Sequence, residues 1–164
     1  MYWLAEEEFA HTVTLVWERT SRSVSGDTQV ETDAETERAA VSDAVWRQKG
    51  DTHYLTFADP ASGDGAAAGK TVLRFQPGEL VLTRFGDVTW NHTFEPGQTR
   101  QSTMRMGGFW LDVEAKTHEL DVHVEPSGGR ISLSYRMDVG GVTQEVHLQL
   151  QFREGATGDD RTHA

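Results

Sequence analysis

From Arg130 to Arg153 the chain alternates with a period of two. Ile131, Leu133, Tyr135 and Met137 fall on one side, and Arg130, Ser132, Ser134 and Arg136 on the other. After Gly140-Gly141, Val146, Leu148, Leu150 and Phe152 point one way while Glu145, His147, Gln149, Gln151 and Arg153 point the other. A helix would scatter these residues around a cylinder, so both segments read as half-buried strands. Matching faces recur at Val13, Leu15 and Trp17; at Val88, Trp90, His92 and Phe94; at Leu111, Val113 and Ala115; and at Leu120, Val122 and Val124. Fainter strands fall at 36–48, 52–58, 70–76, 79–85 and 98–106, for about ten in all.

Between the strands runs a rhythm of turns: Gly50-Asp51, Pro77-Gly78, Gly86-Asp87, Pro96-Gly97, Gly107-Gly108, Gly128-Gly129 and Gly140-Gly141. Each is read as supplying glycine for positive φ, often beside a turn-favouring neighbour. Consecutive hairpins make a meander. Its last strand can meet its first, so the expected fold is all-β, an antiparallel up-and-down barrel with no free edges; a two-sheet sandwich is the alternative.

The organisation that follows is an N-terminal extension at 1–10, a barrel at 11–154 and a tail at 155–164. Within the extension, Trp3, Leu4 and Phe9 suit a short helical turn that plugs one barrel end. Two long polar or small-residue stretches, 21–32 and 59–70, read as surface loops.

Two segments carry a resemblance: Gly78-Glu79-Leu80-Val81-Leu82-Thr83-Arg84-Phe85-Gly86 and Gly129-Arg130-Ile131-Ser132-Leu133-Ser134-Tyr135-Arg136-Met137. Here the chain resembles the bacterial YwiB family, over roughly Thr12 to Glu154. The resemblance implies a calycin-like, lipocalin-type barrel in a small cytoplasmic protein. It brings no activity, ligand or catalytic residue with it. The Trp-containing extension and the Gly/Ala loop at 62–69 depart from the family pattern.

Composition narrows the function classes. At 164 residues the chain suits one core, and 37% hydrophobic with 9% aromatic residues is the composition of a folded domain. The absence of cysteine removes disulfides, thiolate metal sites and a Cys nucleophile, and fits a reducing compartment. With no apolar run long enough for a spanning helix and no signal-peptide pattern at Met1 to Phe9, the expectation is a cytoplasmic protein without a membrane partner. A net charge of −11 repels phosphate backbones, so nucleic acid is not an expected partner. Arg100, Arg105, Arg130 and Arg136 are read as scattered solvated residues rather than a basic strip.

Candidate chemistry mostly dissolves on inspection. Gly69-Lys70-Thr71 ends a glycine-rich stretch, yet the residue that a phosphate loop needs as its first glycine is Asp64, and a strand follows instead of a helix. The acidic run from Asp27 to Glu37 lacks the ligand order of a calcium loop and reads as solvated. No His-x-His or His-Glu-x-x-His cluster occurs, and His118 and His123, five apart, fall on opposite faces of a straight strand. No nucleophile elbow is present, and Asp112 and Glu114 share an outward face. No metal, cofactor or catalytic residue is therefore assigned, and the chain reads as a non-enzyme.

His92 stands apart, because its alternation with Trp90 and Phe94 sends an imidazole inward, where it needs a hydrogen-bond partner and reads first as a satisfied core residue, second as one that faces a ligand. Arg100 and Ser102 share the phase of Met104 and Met106. Trp17, Trp90, His92, Arg100 and Tyr135 thus become the candidate lining of an interior site for a small apolar or amphipathic ligand. The alternatives are an interaction module with a filled core, anchored outside by Val16 and Trp110, and a hydrolase that uses His92 with a carboxylate. Monomer and homodimer are both compatible with this reading.

Overall fold

A computed structural model describes residues 8–24, 34–59 and 69–155 of the chain. Ten antiparallel strands form it: β1 (Glu8–Val24), β2 (Glu35–Lys49), β3 (Thr52–Ala58), β4 (Lys70–Gln76), β5 (Glu79–Phe85), β6 (Val88–Phe94), β7 (Thr99–Met106), β8 (Phe109–Glu125), β9 (Gly128–Val139) and β10 (Val142–Glu154). They close into a barrel in which each strand pairs with its neighbours in sequence, and β1 pairs with β10 to complete the ring. The up-and-down barrel expected from the turn rhythm is the observed fold. Full closure leaves no open sheet edge at the β1–β10 junction for a second copy to extend.

The connections after β2, β4, β6 and β8 gather at one end, called lower here; those after the odd-numbered strands gather at the upper end. β1 begins at Glu8 and runs to Val24, so Phe9 lies in the wall and Ser21 to Val24 are strand rather than loop. The expected N-terminal turn with Trp3 and Leu4, the loops over 25–33 and 60–68 with most of the acidic run and the glycine-rich stretch, and the tail beyond Gly155 lie outside the described residues.

The inward faces are the predicted ones, with two phase changes. Around His118, Thr117 pairs with Tyr135 while Glu119 pairs with Ser134, so one extra residue enters β8. This bulge converts the odd-numbered inward face of Val113, Ala115 and Thr117 into the even-numbered face of Leu120, Val122 and Val124. It also corrects the reading of His118 and His123: both are exposed, because the strand between them is not straight. A second irregularity sets Val13 opposite Ala44 but Leu15 opposite Val41, which hides the alternation of β2 from sequence inspection.

Glycines do two different jobs at the turns. Gly50, Gly78, Gly86 and Gly97 take positive φ, as do both members of Gly107-Gly108 and Gly140-Gly141. Gly128 and Gly129 do not; they open β9 beneath Phe152. A Cβ on Gly129 would sit 2.6 Å from Phe152 Cζ, and one on Gly128 would collide with the Phe152 carbonyl. Close approach, not turn geometry, requires glycine there.

Candidate functional site

The lower half of the lumen is packed with rings. Trp46 stands edge-on to Phe152 at 5.0 Å between centroids and to Phe9 at 5.8 Å, while His53 stacks between Trp46 and Phe75. Leu15, Leu55, Leu80 and Leu133 pack around them with no surface reachable by solvent. The buried Trp46 indole N–H donates to His53 Nδ1 at 3.2 Å, which fixes His53 as an acceptor at that nitrogen. Burial lowers the His53 pKa, against a weaker opposing pull from Asp51, in keeping with a neutral ring. Neither residue is among the predicted site residues. His53 was legible, since it alternates with Leu55 and Phe57; Trp46 was masked by the irregularity in β2.

The lumen beside β6 and β7 is built differently. Trp17, Leu82, Val139 and Leu148 pack against the core yet stay partly exposed, and polar groups join them. His92 is 2% exposed, and its Nδ1 lies 2.7 Å from Ser102 Oγ. The same oxygen accepts the Trp90 indole N–H at 2.8 Å. With one acceptor site of Ser102 taken by the indole, its own hydrogen and a second lone pair both remain for His92 Nδ1, and the imidazole tautomer sets which of the two is used. His92 Nε2 is buried without a hydrogen-bond partner among the described residues. Burial, and next the charge of Arg100, lower the His92 pKa to about 4, so the ring is neutral near pH 7.

Why Ser102 reaches both rings is a matter of register. β6 pairs with β7 only through Val88–Met106, Thr89–Arg105 and Trp90–Met104. Beyond Trp90 the two strands carry no further ladder pairs, and the side-chain contacts of Ser102 bridge them instead.

Tyr135 is 5% exposed, with its ring 4.7 Å from that of Phe94. Burial raises the pKa of its hydroxyl, and the charges of Arg19 and Arg84 oppose the rise. Arg84 Nη2 pairs with Asp59 Oδ2 at 2.8 Å, and Thr71 donates to the other Asp59 oxygen. Arg84 Nε, like His92 Nε2, is buried and unpartnered among the described residues. Arg19 and Arg84 share the inward phase of Trp17 and Leu82, two residues before each, and sequence reading passed them over.

The predicted lining therefore divides. Trp90 and His92 face the lumen with rings 5.3 Å apart, Tyr135 meets them through the Phe94 ring, and Trp17 packs half-buried against the same core. Arg100 is a correction: it has the right phase, but lies at the start of β7 where the ladder has opened, is 48% exposed, and pairs with Glu95. Only its field reaches His92. Trp110 is outside and 67% exposed, with the Arg105 guanidinium 5.6 Å over its ring; Val16 is half-covered in the outer wall. Among the described residues, no three His, Asp or Glu side chains converge as metal ligands.

Residues 23–151 match the family model described as Domain of unknown function (DUF1934). The chain belongs to this family. It is 28% identical over 88 residues to the "Uncharacterized beta-barrel protein YwiB" of Bacillus subtilis (strain 168), a stretch that covers 54% of this chain and 62% of that protein. The matched region is thus less than two thirds of the relative's length. The crystal structure of the ywiB protein from Bacillus subtilis superposes with a TM-score of 0.71 at 19% identity, covering 89% of this chain and 93% of that one, and shares the fold. The DUF1934 family is one without an assigned function, and no residue role transfers from it. None of the described residues forms a helix long and apolar enough to cross a membrane.

Proposed function

We propose that this barrel is a non-enzymatic binding protein that holds a small apolar or amphipathic molecule in its lumen, beside β6 and β7. One observation carries the reading: His92 Nε2 is buried and unpartnered among the described residues, with the Trp90 and Phe94 rings 5.3 and 4.8 Å from the imidazole. An unsatisfied buried polar atom costs about 1–3 kcal/mol. A ligand atom that meets it recovers that cost, while Trp17, Trp90 and Tyr135 supply apolar contact. The lack of cysteine and the acidic surface favour a cytoplasmic protein that binds neither nucleic acid nor membrane.

Catalysis is disfavoured by the same geometry. Ser102 and His92 are within nucleophile–base distance, but the Ser102 oxygen is occupied by an indole N–H and the imidazole is a weak base with a pKa of about 4. No carboxylate is hydrogen-bonded to the other His92 nitrogen among the described residues. Protein isolated from its host is expected to release a small molecule in mass spectrometry. Trp90→Ala and His92→Ala should change uptake of that molecule, whereas Trp110→Ala should not.

A second reading, an external protein-binding surface, is favoured by the apolar side chains exposed at the upper end. Phe109 and Trp110 in β8 stand beside Phe85, Met106 and Val142 at neighbouring connections. Loss of a partner on Trp110→Ala, with ligand uptake unchanged in every lumen variant, would favour it.

A further inference from the structure

We infer that a ligand of the lumen enters and leaves through the side of the barrel, by a window between β6 and β7 that Ser102 latches shut. This rests on the interior-ligand reading and deepens it.

The window has a frame on every side. Above it, the pairs Val88–Met106, Thr89–Arg105 and Trp90–Met104 hold the two strands together. The same register would next set Asn91 against Thr103, His92 against Ser102 and Phe94 against Arg100, and none of these pairs forms. Below, the turn from Glu95 to Gln98 joins the strands and is fastened to β8: the Gly97 N–H donates to the Thr117 carbonyl at 2.8 Å, and the Thr117 N–H to the Gln98 carbonyl at 3.0 Å. At the sides, β6 stays paired with β5 from Trp90 to Phe94, and β7 with β8 along its whole length. The four residues from Trp90 to Phe94, at about 3.3 Å each, make the opening about 13 Å long.

Only side chains cross it. Ser102 Oγ meets His92 Nδ1 at 2.7 Å and the Trp90 indole N–H at 2.8 Å. Nearer the solvent, Arg100 pairs with Glu95. Asn91 turns away, its amide donating to Thr83 on β5 at 2.7 Å. Parting the strands below Trp90 therefore breaks no ladder pair, only the contacts of Ser102 and one solvent-screened ion pair. Each strand keeps its ladder on the far side, so the seam opens locally while the rest of the ring holds. Behind the latch stands His92, between the Trp90 and Phe94 rings and with Nε2 buried and unpartnered among the described residues. Moving Ser102 aside thus opens a path to the very atom that the interior reading assigns to the ligand, with an aromatic ring at each end of the opening.

The test follows uptake of the neutral dye Nile red by the full chain in stopped-flow fluorescence. Phe109→Ala and Trp110→Ala, made in every sample, remove the exposed rings of the upper rim. Because the sequence has no cysteine, Asn91→Cys with Thr103→Cys places a single disulfide across the outer face of the window. Entry should be at least about tenfold slower in the oxidised than in the reduced protein, with the equilibrium affinity unchanged. In the cysteine-free chain, Ser102→Ala should speed both entry and exit by about tenfold, the effect of losing the two hydrogen bonds of the latch. Equal entry rates with the disulfide closed and open overturn the window and leave the interior-ligand reading standing; unchanged rates in Ser102→Ala overturn the latch. No uptake of the dye by any form, in a chain that also carries no native molecule, sinks both readings.

Discussion

Two buried histidines show how differently the halves of the lumen are made. His53, below, sits between Trp46 and Phe75 and accepts the Trp46 indole N–H, within rings that fill the barrel from wall to wall. His92, beside β7, is engaged at Nδ1 through Ser102 and unpartnered at Nε2 among the described residues, between the Trp90 and Phe94 rings. The same strands build both. A lumen with its polar groups partnered by aromatic neighbours serves stability; one with buried polar atoms unpartnered among the described residues is where the proposed ligand would sit.

The most direct way to break this comparison is truncation. Trp46→Ala should lower stability by about 4 kcal/mol, because a ring packed on all sides leaves a cavity, whereas Trp17→Ala should cost less than about 2 kcal/mol. Equal losses in urea denaturation would mean that both halves are filled alike. Acid provides the next largest effect. The native pKa of His92 lies at about 4 against an ordinary value of 6.5, so the unfolded chain takes up the proton first as pH falls. Its contribution is present in full above 6.5 and is lost progressively down to about 4, by roughly 3 kcal/mol in total. His92→Gln should flatten that part of the pH–stability curve. A variant with the same acid sensitivity as the parent would show that His92 is not the group responsible.

Smaller substitutions sharpen the contrast. Gly128→Ala should cost about 2 kcal/mol by forcing a methyl group against the Phe152 carbonyl, since the lower half has no slack to absorb it. Gly50→Ala, in a turn with open space around it, should cost only about 1 kcal/mol through its positive φ. Thermal unfolding of the pair separates crowding from backbone strain. At the bottom of the scale, Trp110→Ala should change stability by less than about 0.5 kcal/mol, as its ring is mostly in solvent. A larger loss would place Trp110 in an assembly rather than at a free rim.

Alternation along each strand was enough to determine the barrel and most of its lining. Ile131, Leu133, Leu150 and Phe152 are buried as their phase demands, and so are Trp90, His92 and Tyr135. A pleated strand sends successive side chains to opposite faces, so inward and outward are properties of local sequence. What phase does not determine is depth or partnership. Arg100 has the phase of a lumen residue, yet an opened ladder leaves it beside Glu95, and single inserted residues in β2 and β8 reversed the parity of what followed. Nor could the sequence bring Phe94 and Tyr135 to one place, because β6 and β9 approach only through the curvature and closure of the whole ring.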